Sequence, residues 1–306
     1  MPGSTVPNPS SEPMPMPPST DDTGPETEPA LSACGRLVRR HDHDRYLTCL
    51  FAKPPAREAM FAIFAFNVEV AKTREVVTQP MLGQIRLQWW RESIEGIYEG
   101  RPRHHEVILP LAEAVARHDL TRGHFDRIID ARETDLLDET PATLAELEDY
   151  CEATASPLLY LSLEALGVRN GAAHDAARHL GIAWALAGIA RAVPFHARQK
   201  RILLPREVTD SAGADRRDIL ELRPHEGLST AVLALSQAAW GHLNAARALR
   251  AAVPATARPA LLSAALVESH LKILAKARQN PFDARVQAGH PLRQARLILN
   301  ATLGRY

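Results

Sequence analysis

From Arg36 almost to the end of the chain, apolar residues recur every three or four positions, and nowhere do they alternate over the length of a strand. That pattern constrains the fold most, because a 3.6-residue period puts one apolar stripe on a helix and cannot line one face of a sheet. The spacing predicts strong helices over Ala56–Val77 and Met81–Tyr98, separated by Gln79-Pro80. Further helices are expected over His105–His118, Gly123–Leu137, Thr143–Thr154, Pro157–Leu166 and Ala172–Val193. Thr230–Ala252, Arg258–Gln279 and Pro291–Leu303 complete the set. Thr143 with Glu146 has capping-box spacing. The segment from Arg206 to Glu226 is rich in charges and turn residues and gives the weakest signal. The expected architecture is one all-α bundle over residues 36–306.

Residues 1–35 read differently. Prolines recur among Ser, Thr and acidic residues, and such a segment buries too little apolar surface to offset its ordering entropy. We read it as a disordered tail. It also skews the charge. The whole chain has 36 basic and 36 acidic residues, but the tail holds Glu12, Asp21, Asp22, Glu26 and Glu28 and no base. The remainder has 36 basic against 31 acidic residues, a net of about +5. That permits contact with anionic lipid and is too weak to argue for nucleic acid.

Cys34, Cys49 and Cys151 are far apart, so neither a zinc site nor a disulfide framework is indicated, and a reducing compartment follows. No apolar run reaches the ~18 residues of a membrane span; Gly181–Ala190 reads as a buried helix. The N-terminus lacks the features of a secretory signal or a transit peptide. No Gly-rich phosphate loop and no Gly-x-Ser-x-Gly elbow occurs. His41-Asp42-His43-Asp44 has metal-ligand residue types, but helix capping by Asp44 is the plainer expectation. Of the adjacent Trp89 and Trp90, at most one faces any given cavity.

Two segments carry chemistry by resemblance. Phe64-Ala65-Phe66-Asn67 leads into Ala71-Lys72-Thr73-Arg74-Glu75, and Ile189-Ala190-Arg191-Ala192-Val193-Pro194-Phe195-His196 leads to Arg201-Ile202-Leu203-Leu204-Pro205. Leu87-Gln88-Trp89-Trp90-Arg91, the turn at Gly100-Arg101-Pro102, and Glu146–Cys151 with Tyr150 add to the likeness. Over roughly Asp44 to Pro205 the chain resembles the squalene/phytoene synthase family. The resemblance implies an isoprenoid synthase-type helical bundle around a central cavity. In that family two helices present aspartates that hold magnesium against a diphosphate, since the metal prefers hard oxygen donors and neutralises the leaving group. Laid on this chain, the first set falls on Ala71, Lys72 and Glu75, and the second on Ala192, Phe195 and His196. Only Glu75 keeps a carboxylate, and so no metal site and no cofactor are expected; magnesium would enter only with an active transferase.

Arg191-Ala192-Val193-Pro194-Phe195-His196 and Tyr150–Val168 further resemble a degenerate branch of that family, whose mitochondrial members assist assembly of NADH:ubiquinone oxidoreductase at a membrane. The reading is therefore a non-catalytic protein of complex I assembly. It is expected to be bacterial and cytoplasmic, peripheral on the inner face of the inner membrane, with a complex I subunit or assembly protein as partner. Cations at Lys72, Arg74, Arg191, His196, Arg198, Lys200 and Arg201 suggest a metal-free anion site. The expected ligand residues are Lys72, Glu75, Tyr150, Arg191, His196 and Arg201, for an anionic lipid or a prenyl diphosphate. Two other readings stay open: an active head-to-head prenyl transferase, and a lipid-binding carrier. Acids at positions 71, 192 and 196 would have favoured the enzyme.

Overall fold

The computed structural model describes residues 31–137, 139–288 and 292–306. Residues 1–30 of the expected disordered tail lie outside the described residues. Helix begins slightly before Arg36: Ser32 accepts from the Gly35 amide and caps α1, Ala33–His41. Asp42, rather than Asp44, caps α2, His43–Cys49, by accepting from the Arg45 amide.

The chain continues through α3 (Ala56–Ala71), α4 (Thr73–Val76), α5 (Pro80–Tyr98), α6 (Ile108–His118) and α7 (Arg122–Glu133). Then come α8 (Leu144–Ala165), α9 (Gly171–Arg191) and α10 (Val193–Arg198). The weak-signal segment holds two short helices, α11 (Arg206–Ser211) and α12 (Arg216–Leu220). The remainder is α13 (Glu226–Ala248), α14 (Arg258–Leu261), α15 (Ser263–Lys276), α16 (Ala284–Gln287) and α17 (Arg293–Thr302). No strand occurs among the described residues, in line with the all-α expectation.

Three helix spans differ most from the sequence reading, and one of them, Arg258–Gln279, divides at Leu262 into α14 and α15. The long helix expected over Ala56–Val77 breaks at Lys72, which ends α3 and begins α4. The two helices expected on either side of Pro157 are one, α8. An interior proline removes one intrahelical donor and crowds the preceding turn. Here α9 packs against the helix at that point: Ser156 Oγ donates to the Arg178 carbonyl at 2.8 Å. The backbone of α9 comes so close that a Cβ on Gly181 would stand 2.6 Å from the Ser156 Cα. Tertiary packing outweighs the local penalty.

α8, α9 and α13 form the main core, with Leu147, Leu159, Leu180, Leu186, Leu228, Leu235 and Leu243 buried among their neighbours. Phe61, Ile63, Phe64 and Phe66 are likewise buried, because α3 is covered by α1, α6, α7 and α8. An all-round apolar helix of this kind belongs inside a bundle. Between α3 and α9 the packing leaves a cavity, which is where the two motif helices come together.

Candidate functional site

The cavity has a volume of about 220 Å³. α3 contributes Asn67, α7 Arg132, α8 Tyr150 and Thr154, α9 Trp184 and Gly188, α10 His196, and α2 Arg45. The wall is thus as polar as it is apolar. Ligand pockets for drug-sized molecules usually run ~300–1,000 Å³, so this one suits a head group better than a prenyl chain.

Of the residues expected from sequence, Tyr150 and His196 line this space. Arg201 stands behind Tyr150 and lines a second hollow of about 100 Å³ that shares Tyr150 and Leu203 with the first. Lys72 does not line it. Its ammonium bonds one oxygen of Glu69, whose other oxygen takes Arg86 at 2.9 Å. Glu75 is exposed on α4, and Phe195 is exposed on α10. Ala71 and Ala192 end their helices without side chains that reach the cavity. Arg191 turns toward another network: its guanidinium feels Asp44, which itself bonds His270 at 3.1 Å and Arg293 at 2.8 Å. Lys72 and Arg191 therefore do not form the paired anion site that the spacing suggested.

A different charge cluster separates this cavity from the smaller hollow, with Arg132 and Tyr150 facing the first and Asp135, Tyr150 and Arg201 the second. Asp135, in the 3-10 turn after α7, accepts from Arg132 Nη1 at 2.9 Å and from the Tyr150 hydroxyl at 2.9 Å. Arg132 Nη1 also donates to the Tyr150 oxygen at 2.8 Å, and Arg201 reaches Asp135 at 3.5 Å. Burial raises the pKa of the Tyr150 phenol well above its usual range, so it stays a donor. Burial would lower Arg132, but Tyr150 and Asp135 beside it more than compensate and hold it charged. Burial, and then the neighbouring Arg201, lower the pKa of His196 to about 4. It is neutral at physiological pH. Arg45 is balanced by Asp42 at 2.7 Å. Arg132 lines the cavity, whereas its partner Asp135 lines the smaller hollow with Arg201, Glu139 and Glu146. The Asn67 Oδ1 and His196 Nδ1 atoms are buried at the larger cavity with no hydrogen-bond partner, which is unusual for polar groups out of water.

Magnesium does not fit this donor set. It needs several oxygen donors in near-octahedral array. Asp135 already serves two arginines and a phenol, and Glu75 points away. Among the described residues no group of three or more His, Cys, Asp or Glu is placed to hold a metal ion. That includes His41-Asp42-His43-Asp44, whose two acids go to a helix cap and to the Arg293 pair.

The apolar tunnel for prenyl chains that the family resemblance implies between the two motif helices is closed here. Beyond Trp184 only about 10 Å³ remains, lined by Arg45, Thr48, Phe64, Leu159, Gly181 and Trp184 among others. Trp90 is buried against Phe66, and Trp89 stacks near Arg103, so neither lines the cavity. Sequence reasoning missed Arg45, Asn67, Arg132, Asp135 and Trp184. Asn67 carried a usable signal, as a polar residue closing the apolar run Met60–Phe66. Asp135 carried none, because its turn has no period.

Comparison with known proteins gives the same fold and family. The sequence model described as squalene/phytoene synthase matches residues 38–294. The chain is 33% identical over 273 residues to the Bos taurus protein named "NADH dehydrogenase (ubiquinone) complex I, assembly factor 6", covering 89% of this chain and 82% of that one. It is 35% identical over 239 residues to the Homo sapiens protein of the same name, covering 78% and 72%. Among solved structures it is similar to the squalene synthase HpnC from Alicyclobacillus acidocaldarius, with a TM-score of 0.73 and 23% identity over 81% of this chain and 94% of that one. At that identity the likeness shows the fold alone.

Proposed function

The chain belongs to the squalene/phytoene synthase family, and from that premise we propose that it is a non-catalytic member acting in assembly of respiratory complex I at a membrane. The observation that carries this reading is the loss of the motif acids: Ala71, Lys72, Ala192, Phe195 and His196 carry no carboxylate, and Glu75 is exposed on α4, away from the cavity. The relatives named as complex I assembly factors support the role. The setting we propose is the inner face of a bacterial inner membrane, with a complex I subunit or assembly protein as partner. Contact is peripheral in this reading, since no described helix is long and apolar enough to cross a membrane.

The cavity retains a binding capacity of a different kind. About 220 Å³, with Arg132 and the buried His196 Nδ1 on the wall, suits a small polar head group. A multiply charged diphosphate would need the metal this site does not fit, and its prenyl chain would need the closed tunnel.

The test is deletion of the gene, with NADH:quinone activity and isoprenoid content measured in the same membranes. Complex I activity should fall and isoprenoids should not change, and a copy carrying Glu75→Gln should restore activity. Loss of isoprenoids with normal complex I would overturn the reading. So would turnover of farnesyl or geranylgeranyl diphosphate by purified protein at about 1 per second or faster.

A further inference from the structure

The last described helix, α17, lies with its charged side inward and its apolar side outward. Its inner face is held by ion pairs: Arg293 Nη1 bonds Asp44 at 2.8 Å, and Arg296 Nη2 lies 3.3 Å from Glu268. Leu297 alone on that face is fully buried, against Leu47, Leu262 and Leu266. The outer face carries Ile298, Leu299 and Leu303, exposed by 55%, 56% and 52%. Folding normally sorts a helix the other way, because burying apolar side chains is favourable and burying charge is not. Three large apolar side chains are thus left in water, while Leu297 and the two ion pairs fix the opposite side of the helix.

The charges around this face are of one sign. Residues 292–306 contain Arg293, Arg296 and Arg305 and no acid. Arg250 Nη2 donates to the Gly304 carbonyl at 3.0 Å, and the Arg258 guanidinium lies 2.9 Å from where a Cβ on Gly304 would stand. The nearest acids, Asp44 and Glu268, are underneath the helix and already paired. We propose that α17 is an interfacial helix that seats the protein on an anionic bilayer, with Ile298, Leu299 and Leu303 entering the head-group region and Arg250, Arg258 and Arg305 meeting the lipid phosphates.

Size and charge favour a bilayer over a protein partner. Three half-exposed side chains fall far short of the ~800 Å² per partner of a stable protein interface. For a bilayer a short apolar strip is enough when cations accompany it, because hydrophobic insertion and attraction to anionic lipid add. The inference rests on the reading that the protein works at a membrane, and it names the surface that does so. Another exposed apolar set, Met81, Leu82 and Ile85 on α5, is the competing surface. Its neighbourhood includes exposed Glu75, and Lys72 and Arg86 on the flanking turns both go to Glu69.

The experiment is flotation of the full chain with vesicles of phosphatidylglycerol and phosphatidylcholine in equal parts, and with phosphatidylcholine alone. Wild type should float with the anionic vesicles, less so as salt rises. The triple variant Ile298→Gln, Leu299→Gln, Leu303→Gln should lose about ten-fold or more in partitioning, while its thermal midpoint and monomer mass stay unchanged. The pair Met81→Gln, Ile85→Gln should float like wild type. Binding lost in that pair and kept in the triple variant would overturn this surface and leave the membrane reading intact. Failure of wild type to float with any vesicle would overturn both. A dimer seen by light scattering for wild type and lost in the triple variant would make the face a contact between copies and overturn the proposal.

Discussion

The guanidinium carbon of Arg45 stands 5.2 Å from the centre of the Trp184 ring, with the Phe64 ring 5.4 Å away on another side. This stack closes the space between α3 and α9 where an isoprenoid synthase fold keeps a tunnel. A guanidinium among aromatic faces is held by the ring quadrupoles, more strongly as water is excluded. Asp42 neutralises it at 2.7 Å. The plug is thus a charge, two rings and a counter-ion, and the void left behind it holds no more than about one water.

Trp184→Ala should reopen the path. Removing a partly buried indole should cost roughly 2–4 kcal/mol and join the 10 Å³ remnant to the 220 Å³ cavity. The variant, unlike wild type, should regain thermal stability on adding farnesol. A variant that melts lower and gains nothing from farnesol would show that the walls collapse rather than open.

Asp135 should be the most sensitive residue of the buried charge cluster. Asp135→Asn leaves Arg132 and Arg201 without their counter-charge, and breaking a buried pair by removing one partner costs about 3–5 kcal/mol. Tyr150→Phe removes two hydrogen bonds but no counter-charge, and should cost less, ~1–3 kcal/mol. Urea unfolding of both variants checks the order. Equal costs would mean that the charges are solvated and the cluster is not a buried one.

Gly181→Ala should destabilise by at least about 1–3 kcal/mol, as overpacking does. The added methyl would meet the Ser156 Cα at 2.6 Å, and backbone cannot swing aside. Gly123→Ala, where a Cβ meets nothing within 4 Å, is the control and should not destabilise. Calorimetric midpoints of the two variants decide it.

His196 should give the fold an acid limb. Its folded pKa of about 4 lies below the 6.5 of an unperturbed histidine, so the unfolded chain binds the extra proton first. Stability is then full above pH 6.5, falls as pH drops toward 4, and the total loss is on the order of 2–3 kcal/mol. His196→Gln should flatten part of the stability profile between those values, with other buried histidines supplying the rest. A variant whose profile overlays that of wild type would show that His196 is solvated in the native state.

The sequence by itself determined the helical class, most helix positions and the loss of the acids at positions 71, 192 and 196. Those features are local: a 3.6 period, a proline or glycine at an end, a residue identity at a motif position. Even the Lys72–Glu69 pair is local, three residues apart on one helix. What only the tertiary structure decided is which charges come together. Asp135 meets Arg132 within a turn, but its other partners come from Tyr150 and Arg201, and Arg45 arrives from α2 to stack on Trp184 of α9. The direction in which α17 faces is of the same kind, set by Asp44 and Glu268 far back along the chain. A side chain that leaves water takes whichever partner the packing brings within reach, and that choice depends on distances between helices, which no period in the sequence encodes.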